Sequence, residues 1–236
     1  MLLLFAVVAP IHFVTKLLAG RSRWPARFLA AAAWIVGARV RVTGGPLRPH
    51  TLLVSNHVSW LDILVLGGAT DCAFVSKAEL GHPLIHWLAD QNATVYVKRG
   101  HRKGAKDQAV AIARALEGDK PVALFPEGTT GPGTQLLPFR STLLEAANFA
   151  AEDVAIRPVA MDYGEAADEI GWYEESGKDN VLRLLGRRGP LPVTVHLLAP
   201  LDRALDRKQL TEAARGAIVA TLRFKSAAHS PIGGGE

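Results

Sequence analysis

The chain is expected to be an α/β protein, a layered sheet with flanking helices, preceded by an N-terminal pair of apolar helices. Three observations carry this expectation. Short apolar runs of strand length, at residues 51–54, 121–125, 156–161 and 191–197, alternate with segments of helical character, the pattern of a sheet covered by helices. The length of 236 residues, with 49% hydrophobic side chains and no Ser/Gly linker or charge block, suits one sizeable core. Two apolar segments with basic flanks lie ahead of the first strand.

Residues 2–14 are almost continuously apolar, but Pro10 and His12 interrupt them and Lys16 follows. The run falls short of the ~20 residues a spanning helix needs. With no basic segment before it and no cleavage site after it, it is not read as a signal peptide. Residues 28–38 form a second apolar segment, between Arg21, Arg23 and Arg27 on one side and Arg39 and Arg41 on the other, with Trp24 and Trp34. Arginines that meet lipid phosphates and indoles at headgroup depth suit a hairpin in the membrane interface. Two ordinary core helices, or a tilted single span, are the other readings. Residues 1–38 are accordingly set apart as a membrane-attaching hairpin, 39–230 as the α/β domain and 231–236 as a disordered tail.

Residues 39–43 alternate and end at Gly44-Gly45-Pro46, an edge strand and a turn leading to the strand at 51. After a polar turn, Ile63 to Leu66 could open a helix. Residues 72–76 read as a short strand ending in Lys77, 84–88 as a helix, and 93–97 as a strand that delivers Lys98 and Arg99. Between 103 and 117, Ala109, Ile112, Ala113 and Leu116 mark one helix face, with Gly118 just past its end. The strand at 121–125 runs into 126–133, too rich in glycine and proline to be regular. Residues 141–150 read as a helix with Ser141 as N-cap, and 205–224 as a closing helix. The polar turns gather at strand ends, where such sheets place their ligand sites.

Composition narrows the partners. Lys plus Arg number 27 against 22 Asp plus Glu, a formal charge of +5, which favours anionic partners such as phosphates or an acidic lipid surface. The basic residues are not clustered with aromatics or on a recognition helix, so nucleic acid is not expected. The single cysteine, Cys72, excludes an internal disulfide and a Cys-rich zinc site. The eight histidines are scattered without ligand spacing, so no metal and no cofactor are expected.

The chemistry centres on His57 and Asp62, in the turn Asn56-His57-Val58-Ser59-Trp60-Leu61-Asp62 that follows a buried strand. A histidine suits proton transfer near neutral pH, and a carboxylate five residues on can fold back to fix its tautomer and stabilise its imidazolium. A turn histidine beside a helix-start Asp is the bland alternative for this pair alone. A second polar stretch, Phe125-Pro126-Glu127-Gly128-Thr129-Thr130-Gly131, follows another buried strand. There Glu127 could accept a hydrogen bond from a substrate hydroxyl, and the Gly128 and Thr129 amides could face an anion.

Together the two motifs resemble the glycerolipid acyltransferase family of the 1-acylglycerol-3-phosphate type, marked by Asn-His-x-x-x-x-Asp and Phe-Pro-Glu-Gly-Thr. The resemblance covers roughly residues 39–200, with both motifs in the family's order. It implies that His57 is the base and Asp62 its partner. It implies that Glu127, Gly128 and Thr129 belong to the acceptor-binding wall, and that Lys98 and Arg99 bind the acceptor's headgroup. Lys77 stands where members often carry a lysine, and Arg157-Pro158-Val159-Ala160 looks like a more structural family block. Members are commonly membrane-attached, which favours the interfacial reading of residues 1–38, on the cytoplasmic face of the inner (plasma) membrane. One departure is Thr130, where many members carry arginine; Arg140 could supply that charge or instead pair with Glu145.

The reaction so implied moves an acyl group from acyl-CoA or acyl carrier protein to the free hydroxyl of a lysolipid, with His57 removing the hydroxyl proton. The basic chain, and Lys98 and Arg99 directly after a strand, favour lysophosphatidic acid as acceptor, with phosphatidic acid as product. Lyso-ornithine lipid is the alternative. A serine hydrolase is disfavoured because no Gly-x-Ser-x-Gly elbow occurs. A non-catalytic lipid-binding protein would not need His57, Asp62 and Glu127 together.

Overall fold

The computed structural model describes residues 2–77, 83–97 and 102–222. Two helices come first, α1 (Leu2–Ala19) and α2 (Trp24–Ile35), followed by β1 (Ala38–Thr43), β2 (Thr51–Ser55), α3 (Leu61–Thr70), β3 (Ala73–Lys77), α4 (Pro83–Gln91), β4 (Val95–Val97) and α5 (Arg102–Leu116). The second half holds β5 (Val122–Leu124), a 3-10 turn at Ser141–Glu145 running into α6 (Ala146–Phe149), β6 (Ala155–Asp162), α7 (Ala167–Ile170), α8 (Gly177–Gly186), β7 (Leu191–Leu197) and α9 (Arg207–Thr221).

Among the described residues, seven strands form one sheet in the order β1-β7-β6-β2-β5-β3-β4. The pairings are parallel except β6 with β7. All five residues of β2 are buried, and it lies between β5 and β6, with Leu52 in register with Val122 on one side and Ile156 on the other. Because β2, β5 and β6 are parallel neighbours, their C-terminal ends open at one edge of the sheet. That edge receives the histidine turn, the Phe125–Gly131 loop and Tyr163.

Side chains alternate across β2, so Leu53 enters one core cluster with Leu61, Val65 and Met161, while Leu52 and Val54 enter another with Ile112, Leu116 and Leu144. Each such fully buried aliphatic side chain contributes about 1.5–3 kcal/mol. In α5 the buried residues Ala109, Ile112, Ala113 and Leu116 are those its periodicity marks.

The N-terminal helices differ in their surroundings. Helix α2 packs on α3 through small residues: Ala32 and Ala33 are fully buried, and a Cβ at Gly68 would stand 2.6 Å from the backbone of Ala30. Helix α1 instead exposes Leu3, Val7, Phe13, Val14, Leu17 and Leu18. Ala38 is already the first residue of β1. Among the described residues no helix is long and apolar enough to cross a membrane.

Two sequence expectations are corrected. Ser141 does not cap a helix; it lies inside the 3-10 turn, whose N-cap position is Arg140 with no side-chain cap hydrogen bond. The closing helix starts at Arg207, where Asp206 and Gln209 form a reciprocal capping box, so its onset is set by the cap. Helix α8 had no sequence reading; Ser176 caps it by accepting from the Asp179 amide at 3.1 Å. The tail at 231–236 lies outside the described residues.

Candidate active site

The turn after β2 carries His57, whose side chain is 17% exposed, and the first turn of α3 carries Asp62, which is fully buried. His57 Nδ1 lies 2.8 Å from Asp62 Oδ2. That oxygen also accepts from the amides of Val58 at 2.6 Å and Ser59 at 3.0 Å, and the other oxygen accepts from the Tyr163 hydroxyl at 2.5 Å. With donors pointing at both of its oxygens, Asp62 acts as an acceptor, so the proton between it and His57 belongs to Nδ1. Nε2 is left as the acceptor nitrogen. Burial, together with the adjacent Asp62 charge, pushes the Tyr163 hydroxyl well above its ordinary pKa, so it remains a donor.

Phe125 stacks on the imidazole with ring centroids 4.1 Å apart and an angle of 16°. The loop after β5 also grips the backbone of His57. Glu127 accepts from the His57 amide at 2.7 Å through Oε1 and from the Leu137 amide at 2.9 Å through Oε2, while the Gly131 amide donates to the His57 carbonyl at 2.9 Å. Burial pushes the Glu127 carboxyl up to about 7, against the pull of those two amides. The Asn56 side chain pairs with both main-chain groups of Met161, at 3.1 and 2.8 Å, and the Trp172 amide donates to the Val58 carbonyl at 2.9 Å. The histidine turn is thus fastened to β6, to the β5 loop and to the segment before α8.

His57 opens on a cleft of about 610 Å³ lined by Phe125, Gly128, Thr129, Thr130, Ser76 and the loop from Trp172 to Glu175. An adjoining apolar cavity of about 490 Å³ runs between α1, α2, α3 and α4, lined by Phe5, Val8, Phe28, Leu64 and Trp87 among others. Ile63, Phe74 and Ser76 line both spaces.

The residues singled out from the sequence fall into three groups. His57, Asp62 and Glu127 come together, and Gly128 and Thr129 stand on the cleft wall. Two details change: the Glu127 oxygens face backbone amides of the protein, and the Gly128 amide closes a turn onto the Phe125 carbonyl at 3.0 Å, with Gly128 at φ 73°. Arg140 is exposed and is not among the residues lining the cleft; nor does it pair with Glu145, which binds Arg207 at 2.7 Å. Lys77 ends β3, next to the cleft residue Ser76, and Lys98 and Arg99 lie outside the described residues. Arg157 donates to the carbonyls of Pro46, Leu197 and Leu198, a structural role. Sequence reasoning missed Tyr163, Asn56 and the Trp172–Glu175 loop. Of these, Asn56 alone carried a signal, as the neighbour of His57 in the motif.

The acyltransferase family model matches residues 39–162, more than half the chain and the span that holds both motifs. The chain belongs to the glycerolipid acyltransferase family. This acyltransferase is 36% identical over 200 residues to a lyso-ornithine lipid O-acyltransferase of Pseudomonas aeruginosa, covering 83% of this chain and 75% of that one. It is 31% identical to a 1-acyl-sn-glycerol-3-phosphate acyltransferase of Neisseria gonorrhoeae, over 63% of this chain and 54% of the other. Its fold matches the crystal structure of the 1-acyl-sn-glycerophosphate acyltransferase from Thermotoga maritima with a TM-score of 0.62, covering 95% of this chain and 96% of that one at 21% identity. The chain is an O-acyltransferase, and the site at the end of β2 is where its motifs converge.

Proposed function

We propose that this acyltransferase moves a fatty acyl group from a thioester, acyl-CoA or acyl carrier protein, to the free hydroxyl of lyso-ornithine lipid, with His57 as general base. The observation that carries the chemistry is the buried Asp62 carboxylate on His57 Nδ1, which leaves Nε2 as the acceptor nitrogen of a residue on the cleft wall. The acceptor oxygen attacks the thioester carbonyl as Nε2 takes its proton. The tetrahedral intermediate then expels the thiolate, the carbon–sulfur bond breaks, and the proton passes from Nε2 to sulfur. Asp62, saturated with donors, steadies the imidazolium without taking its proton. The apolar cavity beside the cleft offers a chain of methylenes a dry place, with Ile63 and Phe74 at the junction.

Three observations support this acceptor over the one that charge alone favoured. Thr130, where many members of the family carry arginine, stands on the cleft wall, and Arg140 is not on that wall. Glu174, a carboxylate with no ion-pair partner among the described residues, lines the same cleft. The relative named for the aminolipid acceptor is matched at higher identity and over more of the chain than the one named for the phosphate acceptor. Lysophosphatidic acid is the second reading, favoured by the basic chain and by the sequence positions of Lys98 and Arg99. Competition between the two acceptors for one acyl thioester separates them. Acylation of the aminolipid in excess supports the proposal, and exclusive phosphatidic acid formation overturns it.

The exposed apolar residues of α1, with Trp34 of α2 under the Arg39 guanidinium, support attachment to the surface of a membrane. A soluble donor and a bilayer acceptor would then meet at one cleft.

A further inference from the structure

We infer that Glu174 is the specificity-determining anchor for the ammonium group of the acceptor headgroup. The inference rests on the aminolipid reading and adds the residue that recognises the cation. Trp172 starts the loop by donating its amide to the Val58 carbonyl, one residue past His57, and its indole Nε1 donates to the Glu175 carbonyl at 3.1 Å. The loop is thereby tied to the histidine turn.

The two glutamates of the loop are in different states. Glu175 is bound by the Arg183 guanidinium and by the Asn180 side chain at 2.8 Å, so its charge is already met. Glu174 is exposed, and among the described residues it has no ion-pair partner. Ser76, Gly128, Thr129 and Thr130, which line the same cleft, carry no formal charge. Glu174 is therefore the unneutralised charge on the described wall of a cleft that also holds the proton acceptor. A primary ammonium can approach it from the cleft, and a phosphate placed there would be repelled. An ammonium on this carboxylate gains a charge-assisted hydrogen bond.

The test uses the full chain, one acyl thioester, and three acceptors: lyso-ornithine lipid, its Nδ-acetyl derivative, which lacks the cation, and lysophosphatidic acid. Wild type is expected to prefer the cationic aminolipid over the acetylated one by about threefold in kcat/KM, chiefly through KM. Glu174→Gln should bring that ratio to about unity. Glu174→Gly, which keeps the left-handed backbone at φ 55°, should do the same. The wild-type preference retained in both variants overturns the role of Glu174 and leaves the acceptor reading standing. Wild type that acylates lysophosphatidic acid and neither aminolipid overturns both.

Discussion

Asp62 and Tyr163 stand 101 residues apart in the chain, yet the tyrosine hydroxyl donates to Oδ1 of the aspartate that holds the histidine. The pair forms because β6 lies beside β2 in the sheet, so the residue that follows β6 faces the turn that follows β2. Removing the hydroxyl leaves Asp62 with its three other donors. Tyr163→Phe should therefore stay folded and lose about tenfold in kcat, the effect of one hydrogen bond to a charged group. Asp62→Asn should lose more, about 10²–10⁴-fold, because a neutral amide cannot stabilise the imidazolium that forms as Nε2 takes the proton. Steady-state kinetics and thermal melting of the two variants check the ranking.

Glu127 predicts a pH dependence of stability. Its folded-state pKa of about 7 lies above the ordinary 4.5, so between these values the folded chain keeps a proton that the unfolded chain has released. The stabilisation is full below 4.5, falls as pH rises and is gone above about 7, with a span of about 3 kcal/mol at most. Thermal melts of wild type should fall through this window relative to Glu127→Gln. The variant should itself be less stable by about 1–3 kcal/mol, since its NH₂ group faces a backbone N–H. Parallel pH profiles for both proteins would contradict the assignment.

Ile63 sits where the apolar cavity meets the cleft. Ile63→Trp should narrow the passage and shift preference toward shorter acyl thioesters, read as kcat/KM across a chain-length series. An unchanged profile would place the acyl chain elsewhere.

Much of the sheet was legible in the sequence because buried parallel strands are continuous apolar runs, as β2, β5 and β6 are, and β1 showed its edge position by alternation. Residues 163–190 were opaque for a physical reason: α7 is one turn long, and α8 exposes Leu182 and Leu185 while burying Asn180 and Leu184, so its leucines do not mark one buried face. In the site, residues near in sequence were readable and residues joined by strand order were not. His57 and Asp62 are five apart, whereas Tyr163 meets them through the sheet. Glu127 looked like a substrate ligand because its spacing cannot reveal the amides of His57 and Leu137 that occupy its oxygens.

Membrane attachment should be tested by substitution in α1, since removing residues 1–38 would also strip Ala32 and Ala33 from the core. Leu17 and Leu18 are 85% and 80% exposed. The double change Leu17→Asp with Leu18→Asp should release the protein from acidic lipid vesicles while its thermal midpoint stays the same. Undiminished co-sedimentation would put the attachment on another surface.

The most direct test of the account is acyl transfer by His57→Ala with lyso-ornithine lipid and an acyl thioester, beside a thermal melt of the same sample. The account predicts a loss of about 10²–10⁴-fold in kcat with a folded protein, since the substitution removes a proton acceptor from a turn held by Asn56, Glu127 and Gly131. Near-normal turnover by a folded His57→Ala variant would contradict it.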